Sequence, residues 1–285
     1  MNSLRSSAVW VIARLTFREA ARRWVLWAAL LLGLLFLTVF GLAMNEIRKE
    51  MELAAEGPMA LLATAEAYNV LTLMGLYVVN FLTILMAVLT SVDTLSGEIG
   101  SGIIHTMVSK PLRRWEIVLG KWLGFLVMMT LYLAFMAGGV VALIYLIMDY
   151  SPPNLLNGLA LMWLSIVVML GISLAGGSTM STLANGVMVF GLYGVAFLGG
   201  WIEQFGVYLE SQAAVNIGIL SSLLLPCEAL WRRAAFEMQS PLAGALGLTP
   251  FSSNSVPSPA MIVYAVLYAA AALVLAAGVF RRRDL

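Results

Sequence analysis

Long apolar stretches alternate with short polar ones along this chain, and their lengths set its architecture. A helix needs ~20 mostly apolar residues to cross the hydrocarbon core of a bilayer. The candidate stretches are 24–44, 69–92, 117–147, 156–184, 186–201 and 260–280. The third is long enough to tilt or to emerge from the membrane. The fifth is the shortest and closes on Gly199, Gly200 and Trp201. The pattern predicts an all-α integral membrane fold with six transmembrane helices over residues 24–285.

The segment before the first span has a different pattern. Arg14, Arg18 and Arg22 recur every fourth residue and so share one helical face. Trp10, Ala13, Phe17 and Ala20 are assigned to the other side. This predicts an amphipathic helix over 1–23, resting on the membrane interface before the chain turns into the bilayer. The first apolar run has no clear small-residue cleavage site after it and is read as a retained span.

Between the fifth and sixth spans, 202–259 is too polar to face lipid throughout. Its apolar run from Val215 to Leu225, closed by Pro226, is ~11 residues and too short to cross. It either re-enters the membrane or lies on it. SSNSVPSP, from Ser252 to Pro259, is a turn-rich connector.

Composition agrees with lipid as the solvent. The chain is 61% hydrophobic and 11% charged, where a soluble domain carries roughly 25% charged residues. A net charge of +1 argues against nucleic acid as a partner. One cysteine, Cys227, excludes an internal disulfide and a thiolate metal cage, and with the single histidine, His105, it is too few ligands for a haem or copper centre. No metal site is expected. Placing the N-terminus in the cytoplasm puts 12 of the 16 Lys and Arg residues inside. That bias follows the positive-inside rule, and both termini are then cytoplasmic. Segment 202–259 is then extracytoplasmic.

Several chemistries find no support. There is no GxxxxGK[ST] to hold ATP, and no HExxH, CxxC or GxSxG. The spans read as nearly free of charge, with neutral groups such as Asn80, Ser165, Ser173, Ser178 and Thr179 inside them. Ion-coupled carriers use ionisable groups in the membrane. Transport work by this chain therefore requires energy delivered mechanically by another one. Gly120 and Gly124 form a GxxxG pair, which serves packing within the chain or a contact with a second copy.

The remaining polar island runs from Asp93 to Lys121, DTLSGEIGSGIIHTMVSKPLRRWEIVLGK. Gly97, Gly100 and Gly102 weaken a helix, while Pro111 starts one more readily than it continues one. The expectation is a short helix near 93–108, a break at Ser109–Lys110, and a new helix from Pro111 into the third span. Lys110, Arg113 and Arg114 then stand at the cytoplasmic tip, with Glu98 and Glu116 nearby.

This island resembles the permease subunits of ABC-2-type ATP-binding-cassette transporters. The likeness lies in Glu98 and Gly102, in Ser109, Pro111, Leu112 and Arg114, and in Ile117, Gly120 and Lys121. Ile103 and Arg113 depart from the family pattern. Within the family the chain is similar to the branch of nitrous-oxide-reductase maturation and gliding-motility permeases, which LLLPCEALWRRA (Leu223 to Ala234) also resembles. The resemblance implies that 93–116 is a cytoplasmic coupling loop docking into a separate ABC ATPase. Glu98, Gly102, Ser109, Lys110, Pro111, Arg113, Arg114 and Glu116 would shape or present that contact. It also implies two ATPase copies, which hold the ATP and Mg, and a second permease, identical or paralogous. Spans two and five would line the path between the permeases. Export across the cytoplasmic (inner) membrane of a prokaryote is the implied use. Rival readings are a non-transporting membrane scaffold, a channel or secondary transporter, and, with no nucleophile–base or metal constellation visible, an integral-membrane enzyme.

Overall fold

The computed structural model describes residues 2–54, 57–100, 113–240 and 256–282. The described residues form helices and no strands. They are α1 (Asn2–Arg22), α2 (Trp24–Ala54), α3 (Pro58–Gly100), α4 (Arg114–Met148), α5 (Leu155–Thr179), α6 (Thr182–Tyr208), α7 (Gln212–Leu224), α8 (Cys227–Met238) and α9 (Ala260–Arg282). Six of them are long and apolar enough to cross a membrane: α2, α3, α4, α5, α6 and α9. The start of α4 meets both ends of the chain, α1 where Gly120 abuts Ile12 and α9 where Arg114 donates to the Phe280 and Arg281 carbonyls, so α1 and the end of α9 lie at one end of the bundle, here called the terminal face. The other is the distal face.

The core forms around α5, whose apolar window is the most buried of the six. It packs against α3, α4, α8 and α9. Leu170 and Val168 are inaccessible, as are Leu73, Leu76 and Val79 on α3. Several polar groups inside the bundle pair with one another, as a lipid-embedded fold favours. Ser91 bonds Ser173 at 2.7 Å, and the Asn185 amide donates to the carbonyls of Val92 and Ser173 at 3.0 and 2.9 Å. α2 lies at the periphery with most of its surface open to lipid.

The elements differ from the sequence expectation in three places. First, residues 93–100 continue α3 instead of opening a separate short helix. At 43 residues α3 is about 64 Å long, twice the hydrocarbon thickness. Gly97 and Gly100 cost ~1 kcal/mol each in a helix. Burial of Leu95, with Ile99 packed beside it, against Ile12, Ile117, Leu174 and Phe280 outweighs them. The expected break at Ser109–Lys110 lies outside the described residues.

Second, the fourth span ends at Thr179 and the fifth begins at Thr182, with the Ser181 hydroxyl accepting from the Ala184 N–H at 3.4 Å. The fifth span does not stop at Trp201 but runs to Tyr208. Gly199 and Gly200 serve close approach there: a Cβ on them would collide with Ser221 and with Glu228.

Third, the apolar run of the 202–259 segment forms α7, which folds back along α6. At Leu225–Pro226 the chain turns by 106° into α8. α8 is buried in the protein through Cys227, Leu230, Trp231, Ala234 and Met238. Neither helix is long enough to cross alone, and the bent pair packs against α6 and α5 toward the distal side of the bundle.

Candidate functional site

At the terminal face, the two helix ends that carry the Asp93–Lys121 island are tied to each other. Lys121 lies about two turns into α4, inside the third apolar stretch. Its ammonium meets the Glu98 carboxylate at the end of α3 at 2.5 Å, and the two side chains are only 2% and 12% exposed. A lysine there needs an opposite charge, because an isolated buried ammonium is costly. Glu98 therefore serves an internal clamp and is not presented at the tip.

The start of α4 is fixed in the same way. Arg113 precedes the first turn in an extended conformation, and its backbone N–H donates to the Glu116 carboxylate at 2.8 Å. This is the reaching-back half of a capping box, with the acid at the positive end of the helix dipole. Glu116 is buried, and the Arg113 side chain is exposed. Arg114 turns the other way and donates to the carbonyls of Phe280 and Arg281 at 3.4 and 3.2 Å. Those carbonyls end α9, where a helix lacks internal donors and favours a cation. Gly102, Ser109, Lys110, Pro111 and His105 lie outside the described residues.

A second set of contacts brings in the remaining ends. Thr182 at the start of α6 donates to Asp93 at 3.1 Å and is 2.9 Å from Ser96. Arg23, at the α1–α2 junction, lies 3.7 Å from Asp93 and donates to Glu19 at 2.8 Å. Thus Asp93 on α3 touches the entry to the first span and the turn between the fourth and fifth. Asp93, Lys121, Thr182 and Arg23 were not among the expected site residues. Lys121 had a readable signal, as a charge within a span. The others are joined only by the fold.

Helix α1 packs on α4. At Gly120 and Gly124 an added Cβ would fall 2.6 Å from Ile12 Cβ and 2.6 Å from the Ala13 carbonyl oxygen. This GxxxG pair is a seat for α1 within the chain, not a contact between copies. The face of α1 buried on it carries Ile12, Ala13, Thr16 and Ala20, while Arg14, Arg18 and Arg22 are exposed together. One assignment needs correction. Trp10 is 65% exposed and stands one turn before Arg14 on the same face, as i and i+4 must. Phe17 is half-buried.

The distal half holds charges that the sequence reading placed outside the spans. Glu203 on α6 pairs with Arg232 on α8 at 2.5 Å, both side chains 2% exposed, and Arg232 also donates to Ser222 at 3.1 Å. Glu228 accepts from Tyr77 at 3.4 Å, and Trp201 donates to the same phenol at 3.1 Å. The expected near-absence of charge in the spans therefore fails at Lys121 and Glu203, although both charges are paired.

A profile of the ABC-2 family transporter proteins matches residues 10–285. The chain belongs to this family. The probable ABC transporter permease protein NosY of Pseudomonas aeruginosa is 27% identical over 296 residues, covering 97% of this chain and 99% of that protein. The chain is accordingly a multi-pass transmembrane permease of the ABC-2 type, and membership implies an ABC ATPase as its partner. The clamped helix ends at the terminal face belong to that permease.

Proposed function

We propose that this permease is driven by a separate ABC ATPase docking on residues 93–116 at the cytoplasmic face, and that two permeases form one export path. The supporting observation is the root of that segment. Its two ends are bound to each other by Glu98–Lys121 and to the last span by Arg114. Asp93 links the same root to the α1–α2 junction and to the α5–α6 turn. A load applied at the tip therefore reaches several helices at once, through the buried Glu98–Lys121 pair and through the more exposed contacts of Arg114 and Asp93. Of the proposed docking residues in the described region, Arg113 presents its side chain outward, whereas Glu98, Arg114 and Glu116 position the helices that carry it.

Nucleotide and Mg are held by the ATPase in this reading, and the chain itself binds neither. The positive-inside bias supports a cytoplasmic terminal face in a prokaryotic inner membrane. A second permease, identical or paralogous, is supported by the open side of α6. There Leu183, Val187, Leu198 and Ile202 are exposed in one stripe, and Gly191 and Gly194 lie within it with free space where a Cβ would stand.

The test is co-purification. The chain is co-expressed with its ATPase, and Lys110→Ala/Arg113→Ala is compared with wild type. Retention of the ATPase by wild type and its loss from the double variant support docking at 93–116. Undiminished binding by the double variant overturns it.

A further inference from the structure

On the terminal face a cleft of about 500 Å³ opens beside the end of α9, lined by Trp115, Val274, Gly278, Val279, Arg281 and Arg282. Its chemistry changes along its length. Its lining along α9 is apolar at Val274, Gly278 and Val279 and basic at the helix end, at Arg281 and Arg282, beside Trp115, which is 39% exposed. The helix end beneath those arginines already has a cation, since Arg114 donates to the carbonyls of Phe280 and Arg281. Arg281 and Arg282 are both exposed. A Cβ on Gly278 would meet nothing within 4 Å, so the groove at that point is open space. On its other side α9 borders a second apolar cavity of about 420 Å³ that shares Leu275 and Val279.

We infer that this cleft is a binding site for one anionic phospholipid of the leaflet at the terminal face. The phosphate sits between Arg281 and Arg282, Trp115 lies at headgroup depth, and an acyl chain runs along Gly278 and Val274. Charge complementarity selects the occupant. A zwitterionic lipid gains little from two guanidinium groups, whereas an anionic headgroup gains a factor of about five per cation near the surface. Tryptophan favours the interface because its ring is apolar and its N–H is wet. The missing side chain at Gly278 leaves room for a chain that ordinary annular lipid would only brush. A lipid seated here touches α9 and the first turn of α4 together, so it bears on the same helix ends as the coupling root.

The full-length chain, purified in mild detergent, is loaded with phosphatidylglycerol or phosphatidylcholine, and retained lipid is counted by native mass spectrometry. Wild type is expected to retain one phosphatidylglycerol in preference to phosphatidylcholine. Arg281→Gln/Arg282→Gln is expected to lose about 30-fold in that preference, the product of two such factors. Gly278→Leu fills the groove, leaves both arginines in place and replaces a poor helix former with a good one. It is expected to lose the retained lipid as well. Gly138→Leu, at an equally open glycine elsewhere on the surface, is the control and should retain it. Inorganic phosphate added in excess should not displace the lipid, because the apolar groove contributes to binding. Equal retention of both lipids by wild type, unchanged retention in Gly278→Leu, or displacement by phosphate alone would each overturn the site.

Discussion

The decisive contacts at the residue scale are charges placed where charges are expensive. Lys121 is buried within α4 and depends on Glu98. Removing one partner of such a pair typically costs roughly 3–5 kcal/mol, whereas replacing both with neutral groups is far milder. Lys121→Met should therefore lower the thermal midpoint of the purified permease strongly, and Glu98→Gln/Lys121→Met should recover most of the loss. Equal destabilisation by the single and double changes would remove the clamp from the account. Gly124→Leu belongs to the same scale. Its side chain would collide with the Ala13 carbonyl and Thr16, so α1 should leave its seat and expose Ala13 to proteases. The need for a partner at Lys121 is legible in the sequence, because a lysine inside an apolar stretch must be satisfied. Which acid serves is not. Glu116 lies five residues away and Glu98 twenty-three, and only the packing of α3 on α4 selects the distant one.

Secondary structure was readable wherever length and hydropathy alone decide. The six spans follow from apolar runs and match α2, α3, α4, α5, α6 and α9. The ends were harder to place, because a glycine has two uses. Gly97 and Gly100 look like breaks but lie in a helix whose Leu95 is buried, and Gly199 and Gly200 look like an end but admit Ser221 and Glu228. The α7–α8 pair shows the same limit. Pro226 marks its bend, yet the burial of α8 rests on Arg232 finding Glu203 across the fold. Arg232→Met leaves the Glu203 carboxylate buried without its cation. It should release α8, detected as new labelling of Cys227, which is fully buried in the native protein. Continued protection of that thiol would show that apolar packing alone holds the helix.

For the whole molecule, the buried native cysteine also makes topology testable. Single cysteines replacing Arg18 and Glu52, both exposed, should react with a membrane-impermeant reagent from opposite sides. In intact cells Glu52→Cys should label and Arg18→Cys should not. The reverse pattern would invert the permease and place the coupling root on the wrong face. The central claim is that residues 93–116 receive the ATPase and that the clamped root carries its motion into the spans. It is tested most directly by the ATPase rate of the reconstituted complex with wild type, Lys110→Ala/Arg113→Ala and Glu98→Gln/Lys121→Met, which lacks the clamp without its stability cost. The account predicts loss of the ATPase from the first variant. It predicts an assembled complex in the second whose ATP hydrolysis no longer responds to the permease. An assembled complex with wild-type hydrolysis in both variants would contradict it.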